Sequence, residues 1–153
     1  MNIIYTDFTL KHNSLDIYVA GCSGNPHCID CQNPETWDFN IGTNYNKKYY
    51  DYLRNRIRDF DSLIKNIMIF GGEPLDQDID KLIHMLMDFK SFNKKVWLFT
   101  RYALENIPKE ILLLCNFIKS GKYIPELKTE NNIQYGIQLA TSNQIIYKKG
   151  LDY

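Results

Sequence analysis

Short apolar runs alternating with helical periodicity constrain this chain more than any other feature of it. Residues 15–20, 67–70, 96–99 and 115–119 are almost continuously apolar and stop at Gly or polar residues. Runs of four to six such residues match strands buried on both faces. Between them Tyr50, Leu53, Ile57 and Phe60, and then Ile79, Leu82, Ile83 and Leu86, recur at the spacing of one helical face. That spacing predicts a helix over 47–60 and a second from 79, with Asp76 or Asp78 as its cap. A short helix is expected near 108–113, and candidate strands at 133–139 and 144–147. Strands alternating with helices imply βαβ units and a mostly parallel sheet, whose ligands bind at the strand C-termini. The polar segments fall there: a cysteine-rich stretch after the first strand, Gly71-Gly72-Glu73 after the second, residues 100–102 after the third and 120–122 after the fourth. Four loops are thus expected to converge on one face.

The 153 residues fit one domain spanning 1–153, and 44% apolar content supplies a core, which excludes disorder. Eighteen basic residues balance eighteen acidic ones without a charged block, so a nucleic-acid or anionic-membrane partner is not expected. No run reaches membrane-spanning length, and the first residues lack the apolar stretch of a signal peptide, so a cytoplasmic location is expected. Thiols stay reduced there, and clustered cysteines bind metal more often than they pair.

Cys22, Cys28 and Cys31 lie within ten positions, on a segment whose Gly24 and Asn25-Pro26 favour turning. Three soft ligands so close suit an iron–sulfur cluster or zinc. His27 is a poor fourth ligand because it adjoins Cys28, whereas Cys115, among Leu112, Leu113, Leu114 and Phe117, reads as a core residue. Three protein ligands leave one metal position open, as catalytic metals require. Gly71-Gly72-Glu73-Pro74 between a strand and a helix lets backbone approach a ligand closely and offers a carboxylate to an ammonium group. Met68, Met85 and Met87, Trp37 and Trp97 read as packing residues, with Trp37 near enough to the cysteines to shield them from water.

Together, the three cysteines and the GGEP loop resemble the radical S-adenosylmethionine superfamily. Gly21-Cys22, Cys28-Ile29-Asp30-Cys31, Asn33-Pro34 and Thr36-Trp37 are similar to the signature of the activating proteins of anaerobic (class III) ribonucleotide reductase. The likeness continues through Ile69–Leu75, Val96–Tyr102, Gly121-Lys122-Tyr123 and Ser142-Asn143-Gln144, covering nearly the whole chain in order. Five residues separate Cys22 from Cys28 where the family usually has three, and Asp30 stands where many members carry an aromatic against adenine.

The resemblance implies an α/β fold, a small incomplete (β/α) barrel of radical S-adenosylmethionine type. It implies that Cys22, Cys28 and Cys31 hold a [4Fe–4S] cluster whose remaining iron chelates S-adenosylmethionine. Gly71, Gly72, Glu73 and Pro74 are expected at the methionyl ammonium, with Thr100, Tyr102 and Lys122 lining the same pocket. No catalytic side chain is implied beyond cluster and cofactor. The implied activity is reductive cleavage to a 5′-deoxyadenosyl radical that takes hydrogen from a glycine of a partner, a glycyl radical enzyme such as anaerobic ribonucleotide reductase, with flavodoxin or ferredoxin as electron donor. Two alternatives stand beside it: the same chemistry on another glycyl radical enzyme or substrate, and a non-catalytic zinc or iron–sulfur module. Docking of a large partner predicts a flat apolar rim around the cluster.

Overall fold

A computed structural model describes all residues, Met1–Tyr153. Seven strands form one mixed sheet in the order β3-β1-β2-β4-β5-β6-β9, and a two-stranded hairpin stands apart. The strands are β1 (Asn2–Thr9), β2 (Ser14–Val19), β3 (Thr43–Asn44), β4 (Asn66–Gly71), β5 (Lys95–Phe99), β6 (Phe117–Ser120), the hairpin β7 (Ile133–Gln134) and β8 (Ile137–Gln138), and β9 (Ile145–Lys148). Helices α1 (Lys47–Asp59), α2 (Ile79–Lys90) and α3 (Lys109–Leu114) are the crossovers between the parallel strands β2, β4, β5 and β6. The flanking strands β1, β3 and β9 pair antiparallel, and the sheet edges β3 and β9 do not meet, so the barrel is not closed.

The parallel order advances without reversal, and right-handed crossovers then place every helix on one face. Leu53 and Ile57 of α1, Leu82, Met85, Leu86 and Phe89 of α2, and Ile111 of α3 accordingly share one core with Leu15, Ile17, Ile69 and Leu98. Asn46 caps α1 by accepting from the Tyr49 amide, and Asp78, the second of the two expected caps, does the same for α2 through Lys81. The opposite face carries Asp16, Met68, Trp97 and Phe117 in register, with Trp97 stacked on Phe117 at 3.8 Å. Only Ile137 and Leu139 cover part of it, packing there with Ile146 of β9. No helix is long and apolar enough to cross a membrane.

Several expectations need correction. Strand β1 has no counterpart in the sequence reading, because Ile3 alone of its side chains is fully buried and the apolar alternation is weak. The expected strand at 133–139 is a hairpin, turned at Tyr135 and Gly136, whose φ values of +49° and +78° suit a two-residue turn. Met87 and Phe60, both placed on core-facing patterns, are about half exposed at 57% and 48%.

Candidate metal centre

Strand β2 ends in a loop whose two stems are hydrogen-bonded together. The Gly21 amide donates to Thr36 O (2.6 Å) and the Cys22 amide to Trp37 O (3.1 Å). Gly21 has φ of +103°, and a Cβ there would lie 2.1 Å from the Phe39 ring, so only glycine fits. Within the loop the Cys31 amide donates to Cys28 O, the Gly24 amide to the Cys22 sulfur, and the Trp37 indole Nε1–H to Cys31 Sγ at 3.3 Å. The His27 ring stacks on Trp37 at 4.1 Å while its Nε2 donates to Cys22 O (3.0 Å), so that nitrogen is engaged by the loop's own backbone. Burial raises the Cys22 thiol, opposed by the Gly24 amide and by the Arg101 guanidinium.

The loop after β4 packs against this stem. A Cβ on Gly72 would stand 2.0 Å from Gly21 O, and the Glu73 amide donates to that same oxygen at 2.7 Å. The two glycines are therefore explained by close protein contacts, Gly71 against Val19 of the paired strand β2 and Gly72 against Gly21 of the cysteine loop. The Glu73 side chain, 2% exposed, is held by protein partners. Its Oε1 accepts from the Thr100 hydroxyl (2.6 Å) and the Leu75 amide (3.1 Å), and its Oε2 from the Arg101 amide (2.8 Å). Burial raises the Glu73 carboxyl above the usual range against these three bonds.

Asp76 joins three of the loops. Its carboxylate accepts from the Ser23 amide and hydroxyl, from Arg101 Nη2 (3.0 Å) and from Tyr102 OH (2.6 Å). Burial pushes this carboxyl up, but the bonds from Tyr102, Ser23 and Arg101 outweigh it and hold it below the usual range. The fourth loop is tied in by Ser120 Oγ, which donates to Tyr102 O (2.8 Å). Thus the four strand-end loops do meet on one face. Thr100 and Tyr102, expected in the pocket, spend their hydroxyls on Glu73 and Asp76. Lys122 is exposed.

A cavity of about 1040 Å³ opens on the uncovered face of the sheet. Cys28, Asp30 and Cys31 form one wall, Phe70, Phe99 and Lys119 the strand floor, and Thr9, His12 and Asp16 the far end. Gly71, Gly72, Glu73, Pro74, Thr100, Tyr102, Lys122 and Cys22 do not line it. Lys119 and Asp16, which do, escaped the sequence reading, although a lone charge inside an apolar strand is a usable signal. Burial pulls the Lys119 ammonium down to about 8, opposed by Glu73 and Cys28, and its Nζ donates to Gly121 O (3.0 Å). The rim is charged, contrary to expectation: Tyr123 OH donates to Asp30 (2.7 Å), Lys128 stands 3.8 Å from Asp30, and the apolar Ile29 is 85% exposed beside them.

Cys22, Cys28 and Cys31 are free, half-buried thiols, and N–H groups already donate to two of them. No three His, Cys, Asp or Glu side chains converge as they would on a single ion. A cluster takes each thiolate on its own iron and spreads its ligands more widely, which this loop suits better than a compact zinc site. Cys115 is wholly buried in the helix-side core, its thiol pushed up to about 12 by burial, in keeping with a packing role. The family model for a 4Fe-4S single cluster domain matches residues 14–147. The chain belongs to the 4Fe-4S single cluster domain family. No curated protein matches it. The match of this single cluster domain begins with β2 and ends within β9, so it takes in the four parallel strands, their crossover helices and every loop described above.

Proposed function

We propose that this single cluster domain is a radical S-adenosylmethionine activating enzyme for a glycyl radical enzyme, anaerobic ribonucleotide reductase being the preferred client. Cys22, Cys28 and Cys31 hold three irons in this reading. One observation carries it: Cys28 and Cys31 form the wall of a cavity of about 1040 Å³. That is at the upper end of what a drug-sized ligand occupies, and a cluster serving only structure or electron transfer has no use for it. When bound, a [4Fe–4S] cluster held by these cysteines would supply the electron for splitting the sulfonium of S-adenosylmethionine into methionine and a 5′-deoxyadenosyl radical, which would take a glycine hydrogen from the client.

The chain's own residues have separable tasks. The Glu73 carboxylate is spent on Thr100, Leu75 and Arg101, so its task in this reading is to hold the loop after β4 against the start of the loop after β5. The half-buried Lys119 places a cation on the cavity floor for an anionic group of the cofactor. Phe70 and Phe99 line the cavity, with Tyr18 stacked on Phe70, and this aromatic row across β2, β4 and β5 excludes water from the space where a radical has to survive. Asp76 fixes the mutual positions of the loops. A flavodoxin or ferredoxin in the cytosol fits as donor, reaching the cluster from the side of the exposed Ile29.

The test is incubation of the reconstituted protein with S-adenosylmethionine, dithionite and an anaerobic ribonucleotide reductase. A glycyl radical signal that disappears with Cys28→Ala is expected. Release of 5′-deoxyadenosine without that signal would move the reading to another client, and a stable cluster with neither product would overturn it.

A further inference from the structure

Trp37 touches the cysteine loop at three separate points. Its carbonyl accepts the Cys22 amide (3.1 Å), its ring stacks on His27 beside Cys28 (4.1 Å, 11° between planes), and its indole N–H reaches Cys31 Sγ (3.3 Å). The residue itself is fixed from behind by the turn 34–36, where the Trp37 amide donates to Pro34 O and the buried Thr36 hydroxyl donates to Asn33 O. One side chain and its own peptide thus span the first cysteine, the neighbour of the second, and the sulfur of the third. An indole N–H is a donor only, and a thiolate on iron is an acceptor whose electron density grows when the cluster gains an electron.

We infer that Trp37 is a positioning residue for the cluster, closing the cysteine loop before metal arrives and raising the cluster's reduction potential through its N–H···S bond to Cys31. A donor to the sulfur stabilises the more negative, reduced state more than the oxidised one, so its removal makes the cluster harder to reduce. The stack on His27 and the bond to Cys22 are distinct from that effect and govern loop closure. The inference needs the cluster but not S-adenosylmethionine, so it stands or falls separately from the proposed activity.

The experiment uses the full chain with its cluster reconstituted and no S-adenosylmethionine present. Trp37→Phe keeps an aromatic ring on His27 and deletes only the donor. Its iron content is expected to equal wild type, with a midpoint potential, from spectroelectrochemical titration, shifted to more negative values. Trp37→Ala, which also loses the stack, is expected to bind less iron. The second measurement does not depend on a Trp37 variant folding. Wild-type protein carrying ¹⁵N-indole tryptophan is reduced, and pulsed electron paramagnetic resonance looks for coupling of the labelled nitrogen to the cluster. The only other tryptophan, Trp97, gives its indole N–H to Asn66 on the sheet and serves as internal control, because Trp97→Phe should leave the coupling in place. An unchanged potential in fully loaded Trp37→Phe, or no nitrogen coupling in the wild type, would overturn the proposal.

Discussion

On the helix-bearing face of the sheet, β2, β4, β5 and β6 present Leu15, Ile17, Ile67, Ile69, Val96, Leu98 and Ile118, all but unexposed, within a core of nineteen buried residues. The same strands turn Asp16, Met68, Phe70, Trp97, Phe99 and Lys119 the other way, where only six buried residues cluster and a cavity remains. The first face is aliphatic and filled, so its cost of mutation is set by lost burial and by the void left behind. The second is aromatic and charged, and its unfilled volume is bounded by two of the three clustered cysteines. The packed core is therefore on one side of a single sheet and the cavity on the other, with the strand-end loops as the boundary between them.

Breaking the comparison at its extremes should give opposite results. Cys28→Ala should abolish cluster absorbance and iron content while moving the unfolding of the metal-free chain by no more than about 0.5 kcal/mol. Cys115→Ala, on the packed side, should keep its iron and lose about 1 kcal/mol in urea titration. Phe89→Ala is the stronger probe of that side: a loss of about 3–5 kcal/mol in the same titration, with the potential of the loaded cluster unchanged.

At the boundary, Gly72→Ala tests whether this glycine serves loop contact. A Cβ only 2.0 Å from Gly21 O must push the cysteine loop away, so roughly 1–3 kcal/mol of stability and faster iron loss to a chelator should appear together. The smallest effect is expected at the far end of the cavity. Burial raises the Asp16 carboxyl, against hydrogen bonds from Ser14 and Thr9 and the nearby His12, while Asp7 adds to the rise. The folded state then holds this proton more tightly than the unfolded state, so stability falls as pH rises from the ordinary carboxylate range through the raised value. Asp16→Asn should remove that fall in a pH series and differ from wild type by less than about 1 kcal/mol at neutral pH.

The filled face was largely legible in the sequence, and the open face only in part. Strands β2, β4 and β5 announced themselves because both of their faces are mostly apolar, and α1 and α2 because their buried residues keep strict spacing. Strand β1 did not, since it buries one side chain and borrows its order from pairing with β2. That Cys22, Cys28 and Cys31 share one loop is readable from their spacing. The direction of Glu73 was not, because it depends on Thr100 and Arg101, which come beside it only when β4 and β5 pair. Lys119 and Asp16 were overlooked because a single charge in an apolar strand leaves the strand pattern intact. Trp37 was placed near the cysteines, but its bond to Cys31 requires the loop to fold back on its own stem.

The most direct measurement is the release of 5′-deoxyadenosine from S-adenosylmethionine by the anaerobically reconstituted, dithionite-reduced protein, with Cys28→Ala alongside. The account predicts product with the wild type and none with the variant. A fully loaded cluster that yields no 5′-deoxyadenosine, with or without a glycyl radical enzyme present, would contradict it.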